Sequence, residues 1–312
     1  MNTDNKMTRR SALKRMGIAV AGMAAASSGL FSLTSCEEKK KKRTILYFTG
    51  TGNCLHVARQ LGGKDAELLS IPQLMKHERF EIEADEIGIV YPIYGHMPPN
   101  MVRRFIQKAN LKADYLFAVL TYGNRKCNAV EIWDEVARQA GKRFDYIASI
   151  IMVDNWLPNF DMNEQILIDK HIPENLQKIA ADLDRQRRWH EPVTELEREQ
   201  HREFLARTGL DPATGFALKS ENCFTVTDAC IGCGACVSVC PRGNYELTSQ
   251  GVKMRGGCEY CFACIQNCPQ KAIRFVRSKD GSFPSGIEKN PDARYRNEHV
   301  SLMDIKLANS QL

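Results

Sequence analysis

Eight of the chain's twelve cysteines fall between Cys230 and Cys268, in two runs of one form. The first is Cys230-x2-Cys233-x2-Cys236-x3-Cys240-Pro241, and the second is Cys258-x2-Cys261-x2-Cys264-x3-Cys268-Pro269. Four thiolates must converge on one 4Fe–4S cubane. Three from a single loop fit the two-residue spacing, and in two-cluster arrangements the fourth cysteine of each run serves the other cluster. The spacing therefore pairs Cys230, Cys233 and Cys236 with Cys268, and Cys258, Cys261 and Cys264 with Cys240. Pro241 and Pro269 turn the chain after the fourth ligand, and the small residues Gly232, Gly234 and Ala235 let backbone N–H groups approach sulfur. A disulfide framework would suit an exported chain, but such tight clustering is better explained by metal. Structural zinc also uses C-x2-C pairs; the third cysteine, the x3 interval and the proline favour the cluster. A fully ligated cluster of this kind changes by one electron and has no open position, so the chemistry is electron relay.

A second constellation lies near the start. Thr49-Gly50-Thr51-Gly52-Asn53-Cys54 follows an apolar run, 44–48, and opens a helical pattern. Backbone amides at a helix N-terminus, with the threonine hydroxyls, can cradle a phosphate, although a Gly-Thr stretch can also be a plain turn. Two more loops follow apolar runs, where open α/β sheets bind ligands: Pro92-Ile93-Tyr94-Gly95-His96-Met97-Pro98-Pro99 and Thr121-Tyr122-Gly123-Asn124. The helix terminus is expected to lower the Cys54 thiol pKa, with packing beside phosphate as its role. His96 is either a proton donor or a bystander. Trp156 either covers the ligand bound at these loops or lines a contact with the cysteine-rich segment, or it sits in a core. Cys127 and Cys223 have no partner spacing.

These residues need a scaffold. Short apolar runs at 44–48, 87–91, 115–121 and 146–152, with a shorter one at 67–70, read as buried parallel strands. Helical patterns lie between them at 53–61, 100–108 and 129–140, the first capped by Asn53 and stopped by Gly62-Gly63. The alternation predicts an α/β fold with a doubly wound parallel sheet. From 160 to about 208 the pattern is helical: Leu176, Ile179, Ala180 and Leu183 share a face, and Thr194 with Glu197 matches a capping box. This charged insert is expected to be an arm between domains, with no chemistry of its own. A last helix is expected from Ser301. The predicted organisation is 1–35 signal, 36–43 tether, 44–158 α/β domain, 159–221 connecting helices, 222–277 cluster domain and 278–312 tail.

The N-terminal residues read as an address. Thr8-Arg9-Arg10-Ser11-Ala12-Leu13-Lys14 resembles a twin-arginine export signal, and Leu33-Thr34-Ser35-Cys36 resembles a lipobox whose cysteine, Cys36, is acylated. An uncleaved N-terminal anchor is the alternative. Net charge is +6, of which residues 1–35 supply +4 through Lys6, Arg9, Arg10, Lys14 and Arg15 against Asp4. The remainder is close to neutral, which does not suggest nucleic-acid binding.

The Thr49–Asn53 loop resembles the phosphate loop of flavodoxins, which bind FMN. That likeness implies that Thr49, Gly50, Thr51, Gly52, Asn53 and Cys54 hold the phosphate side. It places Pro92, Tyr94, Gly95, Thr121, Tyr122 and Gly123 around the ring, with Tyr94 or Tyr122 stacked on it. Residues 43–312 as a whole resemble bacterial and archaeal flavodoxin–ferredoxin fusion proteins. The carrying residues are Phe48-Thr49-Gly50-Thr51-Gly52-Asn53, Pro92-Ile93-Tyr94-Gly95, Asn155-Trp156-Leu157-Pro158, the eight cysteines, and Arg294-Tyr295-Arg296-Asn297 with Val300-Ser301-Leu302. The resemblance implies a flavodoxin-like sheet followed by a small α+β bacterial ferredoxin domain, with FMN and two 4Fe–4S clusters. The expected role is electron transfer with unidentified redox-protein donors and acceptors. The expected location is the outer face of the cell membrane, through the lipid on Cys36. Two rival readings stay open: an FMN-dependent reductase of a small molecule or quinone fed through the clusters, and a ferredoxin whose flavin-free first domain serves for docking.

Overall fold

The computed structural model describes residues 41–213, 223–277 and 286–312. The twin-arginine motif, most of the tether and Cys36 lie outside the described residues. The apolar runs become strands β1 (Arg43–Tyr47), β2 (Glu67–Ser70), β3 (Glu81–Glu83), β4 (Glu86–Pro92), β5 (Asn110–Lys112), β6 (Tyr115–Tyr122) and β7 (Tyr146–Ile151). Helices α1 (Asn53–Gly62), α2 (Ile71–Leu74), α3 (Asn100–Lys108) and α4 (Ala129–Gln139) connect them. Strand β8 (Trp189–His190) completes a six-stranded, all-parallel sheet in the order β2-β1-β4-β6-β7-β8. Short β3 and β5 pair separately. The first five sheet strands follow the flavodoxin-like order 2-1-3-4-5, with the switch point between β1 and β4.

Side-chain volume fixes these layers. β4 and β6 are buried along nearly their whole length, as strands covered on both faces must be. Helix α4 contributes Trp133, fully buried against Tyr91 at 4.9 Å and Phe144 at 5.3 Å between ring centres. Gly88 is required in β4, because a Cβ there would meet the Phe117 ring at 2.2 Å. Glu86, only 3% exposed, is compensated by Arg43 at 2.7 Å and by Gln186 at 2.9 Å.

Helices α5 (Met162–Gln165), α6 (Ile172–Asp184) and α7 (Glu195–Thr208) form the insert. The predicted face of Leu176, Ile179 and Leu183 is buried, and the Thr194–Glu197 capping box is complete, with Gly209 at the C-terminal cap. The insert differs from the expected run of helices in that its Trp189–His190 segment pairs with β7 as the edge strand. Two residues are too short for alternation to be visible, so backbone pairing to an open edge creates this strand.

The cysteine-rich segment holds β9 (Phe224–Val226), α8 (Ala235–Val239), β10 (Tyr245–Thr248), β11 (Gly251–Met254), α9 (Ala263–Gln266) and β12 (Ile273–Phe275); α10 (Leu302–Asn309) ends the chain. β9 pairs with β12 and β10 with β11, both antiparallel. Phe224, Phe262 and Phe275 pack together with ring centres 5.3–5.9 Å apart. Residues from 41 onward form one unit, and its main core includes Val239, Cys261 and Ala263 from the cysteine-rich segment as well as Val300, Ile305 and Ala308 from the tail. Among the described residues, no helix is long and apolar enough to cross a membrane.

Candidate functional site

Where β1, β4 and β6 end, their loops open into a cleft of about 820 Å³. It is lined by Thr49, Gly50, Thr51, Asn53 and Cys54, by Pro92 to His96, and by Thr121 to Arg125. Eleven of the twelve residues expected around a flavin thus meet in one place. Gly52 does not line the cleft. It holds φ 100 at the cap of α1, and a Cβ there would run into Asn297 and Val300 of the tail at about 3 Å.

Asn53 is not the helix cap that its position suggests. It occupies the first turn, and its side chain donates to the Val153 carbonyl at 3.1 Å while its Oδ1 accepts from the Tyr295 hydroxyl at 2.6 Å and from Asn297 at 3.2 Å. Glycine can take the left-handed cap conformation, which frees the asparagine for these tertiary bonds. The Asn297 amide also donates to the Thr51 carbonyl at 2.9 Å. The Arg294–Asn297 segment is therefore a strap behind the Thr49–Asn53 turn. Within that turn Thr49 Oγ1 accepts from Gly52 N at 3.1 Å, and the first-turn amides of α1 have no acceptor inside the helix.

The expected lowering of the Cys54 pKa is reversed. Burial pushes its thiol up to about 12, partly offset by the 3.1 Å contact with Thr121 Oγ1. Desolvation of a fully enclosed thiolate outweighs the helix terminus.

The Tyr94-Gly95-His96-Met97 turn closes by reciprocal backbone bonds between Tyr94 and Met97, at 2.9 and 3.0 Å, with positive φ at Gly95 and His96. This geometry turns the His96 ring inward, where its Nδ1 meets Nδ1 of His201 on α7 at 3.3 Å. Burial, then His201, Arg125 and Arg207, lower the His96 pKa to about 3. Its ring is therefore neutral at pH 7 and is no cationic proton donor. Tyr94 and Tyr122 both line the cleft, Tyr94 edge-on to Phe48 at 6.5 Å. Trp156 lines it too and stacks on Phe262 at 5.2 Å, so it joins the cleft to the cysteine-rich core. The insert, read from sequence as an arm without chemistry, supplies Phe204, Arg207, Thr208 and Gly209 to the cleft wall. An exposed cationic helix end gives no sequence signal that it folds over a cleft.

Tyr260 and Phe262, which flank Cys261, are also lining residues. Gly50 is in backbone contact with the same run: a Cβ on it would lie 2.3 Å from the Cys261 carbonyl oxygen. The cysteines gather as their spacing requires. Burial raises the Cys236 thiol to about 12, and Cys268, Cys230 and Cys233 push it the same way. Cys258 feels Cys261, Cys264 and Cys240 after burial, and Cys261 feels Cys240 and Cys264. All eleven described cysteines are free thiols. Among the described residues no three His, Cys, Asp or Glu side chains are arranged to hold a single metal ion; a cubane spreads its four thiolates over four irons and needs a wider cage. Burial raises the thiols of Cys236, Cys240, Cys258, Cys261 and Cys264, and enclosed sulfurs of this kind fit a group whose positive iron core offsets thiolate charge. Donors already point at the sulfurs: Asn244 N to Cys240 at 3.3 Å, Tyr260 N to Cys258 at 3.2 Å, Ala272 N to Cys268 at 3.2 Å and the Tyr245 hydroxyl to Cys264 at 3.3 Å. The second tetrad is the more enclosed, while Cys233 of the first is exposed.

Residues 225–246, which contain the first cysteine run, match the 4Fe-4S binding domain family. The chain is 45% identical over 58 residues to a ferredoxin of Pyrobaculum islandicum, covering 18% of this chain and 53% of that protein. It is 31% identical over 70 residues to the putative electron transport protein YsaA of Escherichia coli, covering 20% of this chain and 45% of that one. The chain thus spans about half the length of the curated relatives it matches. Among solved structures, it is similar to a flavoprotein in complex with FMN from Lactobacillus acidophilus, at 18% identity and a TM-score of 0.27, covering 35% of this chain and 93% of that one.

Proposed function

We propose that this chain is an electron-transfer iron–sulfur flavoprotein that passes electrons between FMN in the cleft and two 4Fe–4S clusters in the cysteine tetrads. One observation carries the proposal: the Thr49–Asn53 turn and the Cys258–Cys264 run are in backbone contact at Gly50 and Cys261, so a flavin and the inner cluster would share a wall. FMN accepts two electrons and gives them up singly, while each cluster carries one. The residues supply position and environment. The first-turn amides of α1 and the threonines would hold a phosphate, the 92–96 and 121–123 turns would border a ring at the switch point, and Trp156 with Phe262 would close the side towards the clusters.

The Arg9-Arg10 motif and Cys36 support an exported protein, lipid-tethered to the outer face of the cell membrane, with residues 36–43 as spacer. A single acyl chain anchors only marginally, so stable tethering needs two or more. Redox proteins would then be its donor and acceptor. A second reading, reduction of a small molecule at the flavin, is favoured by the cleft wall that extends beyond the three turns to Arg125, Asn159, Arg207 and Thr208. Turnover with small acceptors in place of proteins would select it.

The test of the main reading is cofactor content after anaerobic purification. About one FMN with about eight irons and eight acid-labile sulfides per chain is expected for one flavin and two clusters. Full iron without FMN overturns the flavin assignment and leaves a ferredoxin with a docking domain.

A further inference from the structure

The cleft wall formed by the 121–125 loop and the end of α7 carries charge that the rest of the neighbourhood does not. Nearby cations are engaged: Lys126 with Glu197 at 2.7 Å and Glu191 at 3.2 Å, Arg198 with Glu131 at 2.6 Å, and Arg202 with Glu195 at 2.8 Å. Arg125 and Arg207 are different. Both are exposed, both line the cleft, and among the described residues neither forms an ion pair. Arg207 lies over the Phe204 ring at 5.8 Å. Both guanidiniums act on His96, which places them at the same part of the cleft.

Asp154 is the one carboxylate among the described lining residues, and its Oδ1 accepts from Trp156 N at 2.9 Å. Asn124 and Thr208 add neutral polar groups to the same wall. The His96–His201 pair contributes no anion to neutralise the guanidiniums. Two unpaired guanidiniums at the edge of a concave site, with their carboxylate neighbours elsewhere, are the arrangement that binds carboxylate or phosphate by forked hydrogen bonds.

We infer that Arg125 and Arg207 form an anion subsite that holds the carboxylate or phosphate group of a small-molecule ligand in the cleft, beside the flavin. The inference rests on reading the cleft as a flavin site and narrows the ligand class to anionic small molecules.

Inorganic phosphate is the first probe, added to flavin-loaded protein at constant ionic strength while the visible flavin absorption is followed. A saturable perturbation is expected. Arg125→Gln and Arg207→Gln should each weaken it about tenfold, and the double variant should lose it, with flavin and iron content unchanged. Unsaturable titration, or a double variant that binds phosphate like the parent, overturns the subsite. So does loss of flavin from the variants together with competition between phosphate and free FMN, because the guanidiniums would then serve the cofactor's own phosphate. If the protein holds iron but no flavin, the flavin reading fails separately. Calorimetric titration with phosphate on the same variants then decides the subsite.

Discussion

The hydroxyl of Tyr245, 4% exposed, reaches the sulfur of Cys264 at 3.3 Å. A hydrogen bond to a ligand sulfur draws off negative charge and so favours the reduced, more negative cluster. Tyr245→Phe removes that bond and little else. With two clusters bound as proposed, it should lower the midpoint potential of one and leave the other in place, with an effect on the order of tenfold in the reduced-to-oxidised ratio, or about 59 mV for one electron. Redox titration followed by electron paramagnetic resonance measures this; equal shifts in both clusters, or none, would remove Tyr245 from that role. The two cysteine runs were legible at this scale because their spacing is local. The Tyr245 contact was not, because β10 carries the tyrosine to the sulfur from 19 residues away. Asn53 and the Cys54 pKa were misread for a related reason: local rules gave a cap and a lowered thiol pKa, while tertiary partners and burial determined the outcome.

Helix α10 shows how an element near the end of the chain secures the cleft. Its Ser301–Asp304 capping box is complete, and Asp304 also binds Arg59 of α1 at 2.6 Å. From its far end Asn309, fully buried, donates to the Thr49 carbonyl at 2.8 Å and to the Val239 carbonyl at 3.1 Å. One side chain thus ties the Thr49–Asn53 turn to α8. The Arg59 hydrogen bond, followed by those from Ser301, brings the Asp304 pKa down to about 2 against the opposing effect of burial. A depressed carboxyl contributes stability that is present above its unfolded value, near 4, and is lost as pH falls through about 2. Asp304→Asn should cost about 1 kcal/mol at pH 7, and the gap to the parent should narrow as pH falls from about 4. Denaturant unfolding between pH 3 and pH 7 tests this, and a gap that stays constant over the range would place the stabilisation elsewhere. Helices 53–61, 100–108 and 129–140 were readable from their helical patterns between the apolar runs, and the last one was expected from Ser301. Strand β8 was not, because its existence depends on the edge of β7.

At the scale of the whole molecule, the flavodoxin-like sheet and the cysteine-rich segment are joined so closely that the contact tolerates no extra atom at Gly50. Gly50→Ala would force its methyl against the Cys261 carbonyl, which an unaltered backbone places 2.3 Å away. Overpacking of this kind typically costs 1–3 kcal/mol. FMN occupancy and iron content should fall together in this variant, with a lower melting temperature. Loss of flavin at full iron content would show that the two sites are mechanically separate. The strap 294–297, α10 and the Trp156–Phe262 stack add three further ties across the same boundary.

The sequence by itself determined the two cysteine runs, the parallel α/β alternation and the turns that meet at the sheet's carboxyl edge, because each rests on short-range spacing or periodicity. The tertiary structure decided how these parts face one another. It set the Thr49–Asn53 turn against Cys261, brought the insert's Arg207 and His201 over the cleft, and drew the tail behind Gly52. Those contacts join residues from about 100 to 260 positions apart, and no local pattern encodes them. They arise because separate apolar surfaces and unpaired backbone groups must be buried together, and only the folded chain shows which ones meet.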